Sequence, residues 1–374
     1  MNIALVIDHF HPGKGGAERS LEEILSALRA RGHTLQLVAM SWDKSAEDWI
    51  KVHRVTGATF PRWRRDLSFA NNSATLLKSI SPDLVLGVRH TFDVDVFLAR
   101  NGLYCESLKA TLRAKPSRFR KWSQQLFPKH RVLLGLERKL FRRNQPPLVI
   151  APSHLVEQHC IQNFALPPDR IRVVPNGVDL QRFLPAPLEK RKLLRDAHGF
   201  GDKVVVLFVA HNFRLKGLDC LLEAWSKLPT NHFELMVVGR DKTPHRARNF
   251  SNVRFLGAQS DTIDLYQVAD VLVHPSFSDT FGRVIIEALA CGLPVITTRL
   301  AGASELITDG REGFVLDDPQ QTAILAAKLA CFEDRELLQQ FSRAARLLAE
   351  RHPKAAYLDQ TVEAIEAEGR RKLS

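Results

Sequence analysis

Residues 276–298, SFSDTFGRVIIEALACGLPVITT, put two carboxylates where apolar surroundings leave them little choice of partner. Residues 281–290 are apolar apart from Gly282, Arg283 and Glu287 and read as a helix. A carboxylate on its second turn must be buried with partners or be badly destabilising. Asp279 stands eight residues before Glu287, where the chain enters the helix, and Thr280 is placed to cap it. Gly292 and Pro294 end the helix, and VITT reads as a buried strand. The plain structural reading is an acid favouring the helix dipole and a buried glutamate held by amides. The functional reading has Glu287 accepting hydrogen bonds from the vicinal hydroxyls of a ribose and Asp279 holding sugar hydroxyls. Amides around Thr280, Phe281, Gly282 and Arg283 would then donate to a sugar or a diphosphate.

Two further groups carry chemistry. In VVVLFVAHNFRLKGLDCLLEAW an apolar strand ends near Ala210, Arg214 and Lys216 follow in a short loop, and a helix begins near Leu218. Two such cations are ordinary surface charges unless their loop lies on the ligand-binding edge of a sheet. On that edge they suit the charge developing on a departing nucleoside diphosphate. The loop DHFHPGKGGAERS has Gly13, Gly15 and Gly16 in a turn that opens a helix, where backbone N–H groups can touch a phosphate or sugar. It is not a P-loop, and Glu18 stands where the dinucleotide fingerprint needs its third glycine. A tight strand-to-helix turn with no ligand is the plainer alternative.

The elements that must position these residues alternate. NIALVID, TLQLVAM, DLVLGV, DVFLA, LVIAPS and IRVVPNG read as strands, and residues 17–31 form a helix with Leu21, Ile24, Leu25 and Leu28 on one face. A second series runs through VVVLFVA, ELMVVG, NVRFLG, DVLVHPS and PVITT. The expected fold is α/β, with two Rossmann-like domains facing an interdomain cleft and a ligand at the carboxyl ends of parallel strands. Residues 1–175 are expected to form the first domain and residues 176–352 the second. Residues 353–374 should be a last amphipathic helix that crosses back to the first. Residues 179–202, rich in proline and charge, read as the linker.

Composition bounds the class. The chain has 374 residues, too many for one core, with ordinary hydrophobic (45%) and charged (25%) fractions. No apolar run approaches the ~20 residues of a membrane span. The first residues lack a basic region and a cleavage site, which argues against a signal peptide. Five scattered cysteines, none in a CxxC pair, suggest reduced thiols in a cytosolic protein, neither a disulfide framework nor a zinc site. The net charge of +12 is concentrated: residues 109–143 hold twelve Lys and Arg against Glu137 alone.

The ordered set Gly15-Gly16-Ala17-Glu18, Val174-Pro175-Asn176-Gly177-Val178-Asp179, Lys216-Gly217-Leu218-Asp219 and D-x7-E running into EALACGLPVI resembles the family 4 (group 1) retaining glycosyltransferases. The motifs span almost the whole chain in the family's order. The length and the basic insertion are similar to members that add a hexose to the lipopolysaccharide inner core. The resemblance implies the GT-B fold and a nucleoside-diphosphate sugar donor, a UDP-sugar, held mainly by the C-terminal domain. It also implies a glycan or glycolipid acceptor on the N-terminal one and no required metal or other cofactor. Arg214, Lys216 and Asp279 would be the catalytic residues, with Arg214 and Lys216 in place of a divalent cation. Gly15, Gly16, Thr280, Phe281, Gly282, Arg283 and Glu287 complete the donor site. Retention, with no nucleophile evident, implies front-face attack in which a diphosphate oxygen helps remove the acceptor proton.

The sequence departs from the pattern in two places. The usual first acid is glutamate, and Asp279 reaches about 1.5 Å less far. A histidine expected after the strand DVFLA is replaced by Arg100-Asn101-Gly102, which leaves His90, Asp95 and Asn101 as acceptor-side candidates. Asp93 and Asp95 read chiefly as the start of a strand. His9 and His11 read as solvated or acceptor-side.

In residues 109–143 the cations are interleaved with Phe119, Trp122 and Leu126, and then with Leu133, Leu136 and Leu140, at helical spacing about Pro128. A solvated helical face is the bland alternative. An anionic membrane surface fits better than nucleic acid, for which no module is present. The expected protein is a monomer in the cytoplasm, peripherally bound to the inner face of the membrane. Two competing classes share the scaffold: a nucleotide-sugar 2-epimerase, and a non-catalytic lipid- or nucleic-acid-binding protein.

Overall fold

The computed structural model describes residues 1–14, 16–58, 60–114, 127–229, 231–240 and 250–374. They divide into two compact units, Met1–Val174 with Ala355–Ser374, and Pro175–Lys354.

The first unit begins with β1 (Asn2–Val6), β2 (His9–Phe10), α1 (Gly16–Ala30), β3 (Thr34–Ala39), β4 (Ser41–Trp42), β5 (Lys51–Arg54) and α2 (Arg62–Ile80). It continues through β6 (Leu84–Gly87), β7 (Val96–Leu98), α3 (Tyr104–Arg113), α4 (Pro128–Phe141), β8 (Leu148–Ala151), α5 (His154–Phe164) and β9 (Ile171–Val173). The main sheet has the order β5-β3-β1-β6-β7-β8-β9, and every pair in it is parallel. Strand β1 is buried from Ile3 to Val6, as a strand covered by helices on both faces must be. The leucines of α1 expected on one face, Leu21, Leu25 and Leu28 with Ile24, are all buried against this sheet.

The second unit contains α6 (Leu188–His198), β10 (Val204–Ala210), α7 (Leu218–Trp225), β11 (Phe233–Gly239), β12 (Val253–Gly257) and α8 (Ile263–Val268). Then follow β13 (Val271–His274), α9 (Arg283–Ala290), β14 (Val295–Thr298), β15 (Gly313–Leu316), α10 (Thr322–Ala330) and α11 (Arg335–Glu350). Its sheet, β12-β11-β10-β13-β14-β15, is again wholly parallel. In each unit the chain winds outward from its first strand and then restarts on that strand's other side. The switch points lie between β1 and β6 and between β10 and β13, where loops diverge and ligands lodge in such sheets.

The last helix, α12 (Lys354–Leu373), belongs to the first unit. Tyr357, Val362 and Ile365 join the core formed by Ile3, Leu5 and Leu35. Glu368, 5% exposed, accepts from both terminal nitrogens of Arg170 at 2.8 and 3.0 Å and from Arg371 at 2.6 and 2.9 Å.

Residues 179–202 are not the linker that their composition suggests. They fold within the second unit and include α6, and Phe183 and Phe200 are buried in its core. Two of the charges that suggested exposure serve the interior of the unit. Arg191 and Arg195 reach the buried Asp270 at 2.6 and 2.9 Å. The centre of the basic segment, residues 115–126, lies outside the described residues. Its flanks form α3 and α4, with Pro128 in the first turn of α4.

Burial alone would raise the Glu368 carboxyl, but Arg371 and Arg170 outweigh it and hold the group at about 2. A carboxyl depressed on folding stabilises fully above its ordinary value of about 4.3 and loses that contribution as pH falls toward 2. Urea unfolding of wild type and Glu368→Gln should therefore differ at pH 7 and converge progressively below about pH 4.5.

Candidate functional site

The second unit's switch point brings together the loops that follow β10 and β13. Lys216 leaves the first loop and Asp279 the second, and Lys216 Nζ lies 2.6 Å from Asp279 Oδ2. The same ammonium donates to the Ser278 carbonyl at 2.8 Å. The backbones are equally close. Phe277 N–H donates to the Leu215 carbonyl at 2.9 Å. A Cβ on Gly217, whose φ is +80°, would stand 1.9 Å from the Pro275 carbonyl oxygen. Only glycine lets the two loops meet there.

His274, the last residue of β13, is a partner that the spacing gave no means to anticipate. Its Nε2 lies 3.1 Å from Asp279 Oδ2 and the ring is buried. Burial would raise the Asp279 carboxyl, but the Lys216 charge and the His274 hydrogen bond prevail and hold it well below the usual carboxylate range. Burial also lowers His274, against the pull of Asp279, so the ring favours its neutral form. Both partners take Oδ2, and 18% of the Asp279 side chain remains accessible.

The helix after Asp279 starts later than the sequence suggests. Thr280 does not cap it; α9 begins at Arg283 behind Gly282, which is left-handed at φ +87° and gives no side-chain cap. The intervening residues are instead held by the segment after β14. Asp279 N–H donates to Leu300, Gly302 N–H to Asp279, and Ala303 N–H to Phe281, at 2.9, 3.0 and 2.6 Å. Phe281 itself is buried. Glu287 finds a second unanticipated partner: the Tyr266 hydroxyl donates to its Oε2 at 3.1 Å, while Arg283 Nε stands 3.9 Å from Oε1. Burial raises the Glu287 carboxyl, with Arg283 and Tyr266 opposing. Arg214 is half-buried and has no hydrogen-bond or ion-pair partner among the described residues. The carboxyl edge thus presents one cation without a partner among the described residues, one cation shared with an acid, and two carboxylates, of which Glu287 also faces Arg283 at 3.9 Å.

The remaining candidates lie in the first unit. Gly15 is outside the described residues, and Gly16 is the first residue of α1. Asn101 is exposed in the turn after β7, at the sheet's carboxyl edge. Asp95 is not an acceptor-side residue: it immediately precedes β7, at the opposite edge. There it accepts Val85 N–H at 2.8 Å and meets Lys372 at 2.7 Å. His90 also differs from expectation. Its ring stacks on Phe97 at 5.2 Å, edges Phe141 and lies 3.2 Å from the fully buried Glu137. Burial, then the Arg89 charge, lowers it to about 3, so it is a neutral core group. Among the described residues no group of three or more His, Cys, Asp and Glu is arranged to hold a metal ion.

The comparisons with known proteins identify the family and the fold. The family model Glycosyltransferase Family 4 matches residues 14–182, and Glycosyl transferases group 1 matches residues 190–348. The chain belongs to the group 1, family 4 glycosyltransferases, hexosyltransferases of the GT-B fold. Among individual proteins it is similar to the lipopolysaccharide glucosyltransferase WaaG of Escherichia coli K12, 26% identical over 331 residues, 85% of this chain and 86% of that one. A D-inositol 3-phosphate glycosyltransferase of Paenarthrobacter aurescens is 30% identical over 220 residues, 54% of this chain and 53% of that one. The crystal structure of WaaG superposes with a TM-score of 0.80 at 24% identity, covering 97% and 99% of the two chains. That of Anabaena Alr3699/HepE with UDP-glucose gives 0.72 at 21%, covering 98% and 100%.

Gly217→Ala combines a strained backbone with a methyl group inside the Pro275 carbonyl. It should cost at least about 1–3 kcal/mol in urea unfolding. Gly13→Ala, where a Cβ meets nothing within 4 Å, should cost less than half as much.

Proposed function

We propose that this enzyme transfers a hexose, with retention of anomeric configuration, from a UDP-sugar to a glycan or glycolipid at the cytoplasmic face of a membrane. Lipopolysaccharide core is the proposed acceptor class, and no metal ion is needed. The observation that carries the reading is the Lys216–Asp279 pair at the β10–β13 switch point, with Arg214, which has no partner among the described residues, in the same loop.

Each side chain has capacity left for a ligand. The Lys216 ammonium has three protons and gives two to protein acceptors, so one remains for a phosphate oxygen. Arg214 adds a planar donor set suited to the same group. Together they neutralise charge as the sugar–phosphate bond breaks, as a divalent cation does in other sugar transferases. Asp279 Oδ1 accepts a hydroxyl of the transferred sugar, and Glu287 accepts the ribose hydroxyls. The first N–H groups of α9 have no intrahelical acceptor and add donors, with Thr280, Phe281 and Gly282 leading into them. With no carboxylate poised as a nucleophile, retention follows from front-face attack within a short-lived ion pair.

The donor and acceptor assignments draw on relatives. HepE binds UDP-glucose and UDP, and WaaG acts on lipopolysaccharide. Membrane attachment draws on the flanks of the basic segment. Arg131, Arg138, Lys139 and Arg142 are exposed on or beside α4, and Phe127 is 54% exposed at its start. No helix among the described residues is long and apolar enough to cross a membrane. Surface attachment through cations worth roughly 1 kcal/mol each is the mode this composition supports.

Lys216→Ala and Arg214→Ala should each lower kcat by about 10²–10³ in a UDP-release assay with UDP-glucose and truncated lipopolysaccharide. Unchanged turnover in both would remove the site assignment. In a thermal-shift panel UDP-sugars should stabilise the protein more than GDP- or ADP-sugars. Conversion of the donor to its 2-epimer without acceptor would support the epimerase class instead. Sedimentation with anionic vesicles should exceed that with neutral ones, and equal, negligible binding to both would sink the membrane assignment.

A further inference from the structure

Strand β13 ends on a residue that packing does not explain. Val271, Leu272 and Val273 are fully buried, and His274 continues the strand at 1% exposed. A valine would end such a strand as its neighbours do, whereas a buried imidazole must place two ring nitrogens. His274 places one. Its Nε2 lies 3.1 Å from Asp279 Oδ2, and its buried Nδ1 has no hydrogen-bond partner among the described residues. Leaving a polar atom buried and unpaired is unfavourable. The carbonyl of His274 accepts from Ser276 N–H at 2.8 Å and from Thr297 Oγ1 at 2.9 Å, as any residue's would. What histidine adds at this position is the bond to Asp279.

The neighbours fix where the imidazole proton sits. Against the effect of burial, Lys216 and His274 keep the Asp279 carboxyl ionised, so it only accepts and His274 Nε2 carries the hydrogen. A second proton would sit on Nδ1, buried with no acceptor, and burial favours the neutral ring. His274 is therefore a single, constant donor on a buried strand. The other partner of Oδ2, Lys216, ends a flexible four-carbon stem. The Asp279 backbone is held as well: its N–H donates to Leu300 and its carbonyl accepts from Gly302. No hydrogen bond among the described residues reaches Asp279 Oδ1.

We propose that His274 is a positioning residue: by holding Asp279 Oδ2 it sets where Oδ1 stands, and so which hydroxyl of the transferred hexose the site reads. The inference rests on the sugar-transfer reading above and concerns the second unit alone. In that reading Lys216 turns toward the diphosphate as negative charge develops there, and its hold on Asp279 slackens at that moment. His274 has no other acceptor within reach, so it keeps the carboxylate in place while Lys216 is engaged. The short side chain sharpens the effect. An aspartate tied to a strand end at both backbone and carboxylate cannot follow a displaced sugar, so a hydroxyl in the wrong place goes unread.

The full chain is assayed on lipopolysaccharide truncated to its inner core, with UDP-glucose and its 3-, 4- and 6-deoxy analogues as donors and calorimetric UDP binding as a control. His274→Leu, close to histidine in volume, should lower kcat/KM for UDP-glucose about tenfold and leave the UDP Kd unchanged. The deoxygenation that slows wild type most should slow this variant by less than about threefold, and adding His274→Leu to Asp279→Ala should cost nothing further. His274→Gln keeps an N–H near the place of Nε2 and should retain both the rate and the deoxy penalty. Three results would overturn the inference: His274→Leu at wild-type rate, an undiminished deoxy penalty, or His274→Gln as slow as His274→Leu. A loss of rate matched by a loss of UDP binding would do the same, by showing a merely structural role. A wild-type chain that binds UDP and transfers no sugar would overturn the transferase reading and this inference with it. Wild-type transfer with a fully active His274→Leu would overturn this inference alone.

Discussion

Everything around the second unit's switch point is arranged about a partly buried ion pair. Lys216 and Asp279 are each only 18% exposed, and at that depth removing either partner leaves the other's charge without compensation. The pair does not stand alone. Its carboxylate takes a buried imidazole from below and its ammonium ties down the Ser278 carbonyl. The two loops are drawn together until only hydrogen fits at Gly217. Apolar packing would join two strand ends at a lower desolvation cost.

The two sheets solve the same geometrical problem with different chemistry. Each reverses direction at its first strand, and at each reversal an acid and a base meet across the gap: Lys216 with Asp279, and Arg89 with Asp8. In the second unit the surrounding groups are charged and suit phosphates. In the first unit Arg89 is 54% exposed and the neighbours are two histidines, a serine and an aspartate, which suit hydroxyls. Two different local chemistries thus arise from one strand order.

The parallel strands and their helices were legible because apolar runs of strand length stood between turn residues, and the buried faces of α1 and α9 followed from their spacing. The carboxylate of Glu287 was legible as an acid that an apolar helix could not tolerate unpartnered, and that of Asp279 by its place where the chain enters the helix. Their partners were not. His274 ends a strand and Tyr266 lies on another helix, so neither stands at a spacing that links it to its acid. Residues 179–202 misled because charge density normally means solvent, whereas Arg191 and Arg195 are spent on one buried aspartate. Asp95 misled because a sequence shows that a residue borders a strand without showing which way the strand runs.

The placement of α12 has a consequence for how the chain is made. The second unit's two ends lie side by side, with Val178 N–H bonded to the His352 carbonyl at 3.0 Å and Lys354 N–H to the Val178 carbonyl at 2.9 Å. It is a closed cassette inserted into the first unit, which lacks one wall of its core until Tyr357, Val362 and Ile365 arrive. Domains ordinarily mature from the amino terminus as they leave the ribosome. Here the order is inverted: the later unit is complete while the earlier one still waits for its closing helix. An enzyme shortened at its carboxyl end would therefore lose its beginning, not its end.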